Sequence, residues 1–197
     1  MPAAPLSWPL ITLDFEASSL EDASYPIEVG LALWPAQDAP VQGWSCLIRP
    51  APDWRSSGHW SRRSQAVHGL TRRDLEAGAD PACVMHQLNT LAGGRVLFCD
   101  GGPYDAYWLR RLGQAAGIQP SFTLGDWSWL TRGTGGIPRE AVLAHLDAAP
   151  PRHRARADAE RLLLALAHGL GASPGLTDLT LDTPARAVPQ AEDGGAR

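Results

Sequence analysis

The 197 residues, 44% of them hydrophobic, suffice for one well-buried domain and leave little room for two. A net charge of −4 argues against a protein that coats nucleic acid by bulk charge, and the basic residues are all Arg, which reflects genome composition before it reflects phosphate binding. Cys46, Cys83 and Cys99 are odd in number with no CxxC, and no apolar run reaches the roughly eighteen residues of a membrane span, so the chain reads as a cytoplasmic protein without disulfides, a thiolate zinc site or membrane contact.

Leu10–Glu16 is an apolar, β-prone run that ends in two carboxylates. Pro26–Trp34 and Val41–Ile48 read as two further strands joined by the turn-rich segment 35–40, which together with the first predicts an antiparallel meander. A loop carrying Trp54, His59 and Trp60 follows. Thr71 and Asp74 have the spacing of a capping box that opens a short helix. Asp80-Pro81 opens a clearer one, in which Val84, Leu88 and Leu91 share a face and Gly93-Gly94 marks the end. Arg95–Asp100 is a short strand and Pro103–Leu112 a helix with Pro at its start. Pro120–Leu124 reads as a strand, Trp127–Leu130 as a short helix, and Pro138–Leu146 as a helix beyond the Gly133–Gly136 loop. Asp158–His168 is the last well-marked helix, with Leu162, Leu163, Ala165 and Leu166 toward the core. From Ser173 onward the apolar pattern thins, which predicts a mostly disordered tail over 173–197 and a domain over 1–172. The whole is an α/β domain on a mixed sheet.

Strand alternation puts Asp14 and Glu16 on one side and Leu13 and Phe15 on the other. Two like charges at the end of a buried strand raise each other's pKa unless a cation lies between them, which points to a metal. Asp105 falls in the first turn of its helix, where the dipole favours a carboxylate, and Asp158 opens the last helix, where it could be a capping residue. His153 stands just upstream in an Arg-rich loop. Each of these residues also has an ordinary structural reading. Their order along the chain is more specific.

Asp14-Phe15-Glu16-Ala17-Ser18-Ser19-Leu20, Pro26-Ile27-Glu28-Val29-Gly30, Val67-His68-Gly69-Leu70-Thr71, Tyr104-Asp105 with Trp108-Leu109, and His153 to Asp158 follow one another as in the DEDDh 3′–5′ exonucleases. The chain resembles that family over roughly residues 8–170. It departs in having Gly101 where the family's second motif commonly has Asn, with Asp100 beside it as a rival acid. Arg154 stands where the Tyr-type variant would need Tyr. The resemblance implies an RNase H-like fold, with antiparallel strands 1–3 followed by parallel ones and helices on both sides. It implies hydrolysis of phosphodiester bonds at 3′ ends of single-stranded DNA or RNA, with release of nucleoside monophosphates and two divalent cations, Mg²⁺ or Mn²⁺. Asp14 would bridge both ions, Glu16 and Asp158 would complete the nucleophile-side site, Asp105 would support the other, and His153 would be the general base. Ser18, Leu20 and His68 would hold the terminal nucleotide. Trp127 and Trp129 are potential stacking faces, with a core role for one of them. Partners would be single-stranded 3′ ends; a homodimer and a polymerase partner are left open. Oligoribonuclease-like cleavage of very short RNA and a non-catalytic end-binding module are the alternatives. A small-molecule hydrolase would need a GxSxG elbow or a Gly-rich phosphate loop, and the chain has neither.

Overall fold

The computed structural model describes residues 6–132 and 137–180. Alternation along β1 (Leu10–Ala17) sorts its side chains onto two faces of a sheet. Ile11, Leu13 and Phe15 enter one buried cluster and Leu10 the other, while the Thr12 hydroxyl donates to the Ala159 carbonyl at 2.7 Å. β2 (Pro26–Trp34) and β3 (Val41–Leu47) complete the expected antiparallel meander. The chain continues through α1 (Pro52–Ser57), α2 (Arg62–His68), a 3₁₀ turn at Asp74–Ala77, α3 (Pro81–Ala92), β4 (Val96–Cys99), α4 (Pro103–Ala116) and β5 (Thr123–Asp126). It ends with α5 (Ser128–Arg132), α6 (Arg139–Ala148), α7 (Ala155–Gly169) and β6 (Leu176–Asp178). The six-stranded sheet has the order β5-β4-β1-β2-β3-β6, with β4 parallel to β1, β5 parallel to β4 and β6 parallel to β3.

Helices cover both faces. Val84, Met85 and Leu88 of α3 and Leu109 and Leu112 of α4 pack on Ile11, Leu13 and Phe15. On the other face Leu162, Leu163 and Leu166 of α7 pack with Leu10, Ala32 and Trp34. α7 approaches so closely that a Cβ added to Gly30 of β2 would lie 2.1 Å from the Ala155 carbonyl carbon and the Arg156 nitrogen. Only glycine leaves room for that crossing.

Three segments differ from expectation. The loop of Trp54, His59 and Trp60 contains α1 and α2; Pro52 starts the first, and Ser61 caps the second by accepting from the Ser64 N–H. Each spans two turns or fewer and buries a single large ring, Trp54 in α1 and His68 in α2, too little for an apolar period to be visible. The Thr71–Asp74 box forms reciprocally, with Asp74 accepting from the Thr71 N–H at 2.8 Å and Thr71 Oγ1 from the Asp74 N–H at 3.3 Å, and it opens a 3₁₀ turn in place of an α-helix. Part of the tail predicted from Ser173 instead forms β6, which pairs with β3 through bonds such as Val41 N–H to the Gly175 carbonyl and Leu179 N–H to the Gly43 carbonyl, while Arg156 of α7 ion-pairs with Asp178 at 2.6 Å and donates to the Thr177 carbonyl at 3.2 Å. The rest of that tail, 181–197, and the Gly133–Gly136 loop lie outside the described residues.

Candidate active site

Three segments converge at the end of β1, beside the start of α7. The end of β1 brings Asp14 and Glu16, the first turn of α4 brings Asp105, and the loop into α7 brings His153 and Asp158. Ligand atoms of Glu16, His153 and Asp158 all lie within 4.8 Å of one another. Asp14 is half-buried in the same charge cluster, with burial raising its pKa well above the ordinary carboxyl range and Asp105, Glu16, Asp100 and Asp158 raising it further. Burial, then Asp158 and Glu28, push Glu16 up to about 8, partly offset by Arg154.

Asp105 is buried, and burial pushes its pKa up to about 6. Its Oδ2 accepts from the Gly101 N–H at 3.0 Å, and its Oδ1 is buried without a hydrogen-bond partner. A Cβ on residue 101 would lie 2.5 Å from that Oδ2, so the departure from Asn at this position gives the carboxylate a backbone donor in the space of a side chain. Asp100, the rival acid, is exposed at the end of β4 and adds negative charge to Asp105.

His153 has a left-handed φ of 55°, uncommon for a residue with a Cβ, and its side chain is exposed. Asp158 holds the backbone on both sides of it: Oδ1 accepts from the Arg152 N–H at 2.8 Å and Oδ2 from the Arg154 N–H at 3.2 Å. α7 thus starts three residues earlier than expected, with Arg154 at its N-cap, and Asp158 is a first-turn residue that reaches back to the N–H groups ahead of the helix while keeping its place in the cluster. Arg154 forks onto Glu28 of β2, with Nη2 to Oε1 at 2.7 Å and Nε to Oε2 at 3.0 Å.

Glu16 and His153 open onto a cleft of about 490 Å³ that Leu20, Val67, His68 and Trp108 also line. Leu20 is 64% exposed. His68 is buried, its Nδ1 accepting from the Leu70 N–H at 3.0 Å while Nε2 has no partner; burial lowers its pKa. Ser18, read from the sequence as a substrate contact, is instead fully buried and absent from the cleft lining: its Oγ accepts from the Tyr25 N–H at 3.0 Å and closes the turn between β1 and β2. Trp127 is buried in the core and Trp129 is 61% exposed, as their spacing on opposite helix sides requires.

Sequence reasoning missed Glu28, Arg154 and the donor role of Gly101. Glu28 carried a signal, since it is the one charged residue in an otherwise apolar strand. Repelling oxygen donors, an orphaned Asp105 oxygen and carboxyls held above their ordinary range together fit a hard divalent cation.

No protein-family model matches the chain, and no curated protein sequence matches it. Among solved structures it is similar to a full-length 3′-exonuclease (TM-score 0.62, 14% identity, 87% of this chain and 62% of the other). It is also similar to the structure of 3′-end-specific recognition of a histone mRNA stem-loop by a 3′-exonuclease (TM-score 0.60, 13% identity, 81% and 62%). A third similar structure is exonuclease X in complex with 5′-overhanging duplex DNA (TM-score 0.51, 18% identity, 83% and 94%). The matches thus span 62% of the length of the first two and 94% of the third. With its mixed six-stranded sheet and flanking helices, the chain has the RNase H-like fold of these exonucleases.

Proposed function

We propose that the chain is a DEDDh-type 3′–5′ exonuclease that removes nucleoside monophosphates from the 3′ ends of single-stranded DNA or RNA with the help of two divalent cations, Mg²⁺ or Mn²⁺. The observation that carries this reading is the approach of Glu16, His153 and Asp158 to within 4.8 Å, beside Asp14 and the buried Asp105, on an exonuclease fold. The similar structures of a 3′-exonuclease recognising a histone mRNA stem-loop and of exonuclease X in complex with 5′-overhanging duplex DNA support nucleic acid as the substrate class.

Asp14, Glu16, Asp105 and Asp158 would hold the cations. Bound there, a cation supplies charge neutralisation at the phosphoryl oxygens and acidifies water. A ring nitrogen of His153 takes the proton of the attacking water, and its exposed loop position at the cleft lets it meet the scissile phosphate. Leu20, with most of its surface free, packs against the terminal base, and His68, which lines the same cleft, lies beside the same nucleotide.

The test is mononucleotide release from 5′-labelled single-stranded DNA and RNA of matched sequence, with Mg²⁺, Mn²⁺ or EDTA. Wild type should shorten the label from the 3′ end only with a cation, and Asp14→Ala should abolish this. Wild-type-like turnover by Asp14→Ala would remove the assignment, and activity confined to dinucleotides would move it to very short RNA.

A further inference from the structure

We propose that Glu28 is a positioning residue for the general base: by clamping Arg154 and the first N–H of α7, it holds His153 at the reacting water while a cation occupies the site. The inference rests on the exonuclease reading.

Glu28 lies directly opposite Glu16 on the neighbouring strand, so the two carboxylates share a face. Proximity alone would make Glu28 another cation ligand. Its oxygens are otherwise engaged. Oε1 accepts from Arg154 Nη2 at 2.7 Å, and Oε2 accepts both from Arg154 Nε at 3.0 Å and from the Ala155 N–H at 3.1 Å. The Glu28 side chain is 2% exposed, so these bonds form away from competing water. Arg154, the N-cap residue of α7, makes no side-chain cap bond to its own helix, and Glu28 supplies from the sheet the acceptor and the negative charge that a helix start favours.

His153 sits between anchored neighbours in a left-handed conformation that its surroundings must enforce. The two anchors differ in kind. Asp158 binds the Arg152 and Arg154 N–H groups with the same carboxylate that would face a cation, so a cation weakens that grip as it draws the charge of Asp158. Glu28 shares none of its bonded oxygens with the cluster. Its hold on Arg154 therefore persists when the site is loaded, the state in which His153 must act.

The experiment compares wild type with Glu28→Gln, Arg154→Met and the double variant. It measures kcat and KM on a single-stranded oligonucleotide, Mg²⁺ and Mn²⁺ affinity by calorimetry, and amide exchange of residues 152–155 with and without Mg²⁺. Misplacing a proton acceptor by an ångström lowers kcat by about 10–100-fold, so both single variants should lose that much while KM and cation affinity stay within about threefold. The double variant should lose no more than the worse single, since both remove one clamp. Exchange at residues 152–155 should accelerate most in Mg²⁺. Arg154→Lys keeps the charge but not the fork and should fall between wild type and Arg154→Met; it is the variant to read if Glu28→Gln fails to fold. Near-wild-type kcat in the singles, multiplying losses in the double, or cation affinity falling in step with kcat would each overturn the inference. If wild type hydrolyses nothing, the exonuclease reading falls by itself; exchange at 152–155 then decides the clamp, and an unchanged rate in Glu28→Gln overturns it.

Discussion

Glu16→Gln should stabilise the cation-free protein while removing its activity. Glu16 is buried and carries a pKa raised from an ordinary 4.5 to about 8, first by burial and then by Asp158 and Glu28. A carboxyl whose folded pKa exceeds its unfolded value binds its proton more tightly in the folded state. The destabilisation is therefore absent below the unfolded value, grows as pH rises, and is complete near the folded value of about 8. Holding one group that far from its ordinary value corresponds to at most about 5 kcal/mol. Relaxation of the neighbouring carboxyls and water in the cleft reduce this to about 1–3 kcal/mol, or roughly 3–10 °C in melting temperature for a domain of this size. Gln keeps the shape, removes the charge, and leaves its amide open to the cleft. Calorimetric melts in EDTA should coincide near pH 5 and separate by pH 8, with the variant higher. Adding Mg²⁺ should raise the wild type at pH 8 and move the variant much less. A variant that melts with or below wild type at pH 8 in EDTA would refute the reasoning, because the charge of Glu16 would then be compensated without a cation.

Two further outcomes test other parts of the site. His153→Ala should lower kcat by about 10²–10⁴-fold while Mg²⁺ affinity measured by calorimetry stays within about threefold, since the side chain is exposed and the carboxylates remain. Gly30→Ala puts a Cβ 2.1 Å from the backbone of α7 and should cost about 3 kcal/mol or more, read as a lowered melting temperature together with lost turnover as Asp158 and His153 move off the sheet.

Of the acids that the proposed function assigns to the cations, two break a local pattern and two were legible only through their order along the chain. Asp14 and Glu16 interrupt an apolar strand at its end, whereas Asp105 and Asp158 stand in the first turns of helices, an ordinary place for a carboxylate. Ser18 misled for the complementary reason. It follows the first motif by two residues, but whether a side chain in a turn faces the cleft or the core depends on the strand that returns beside it, and here Tyr25 of that returning segment takes the hydroxyl. Short α1 and α2 lack the length for a period, and β6 is three residues that pair with a strand far earlier in the chain, which nothing near Leu176 announces.

The supporting residues were hidden by distance along the chain. Glu28 meets Arg154 across 126 residues, and neither position looks unusual beside its own neighbours beyond one charge in a strand. Gly30 reads locally as a weak point in β2. In the fold it stands opposite Asp14 in register, and α7 lies with its first turn against it. A larger residue there would hold the helix off the sheet at the place where Asp158 and His153 must reach Asp14 and Glu16. The glycine that weakens the strand is thus what allows two segments far apart in sequence to form one site. Glu28, two residues earlier on the same strand and on the same face, fastens the helix start once it has arrived.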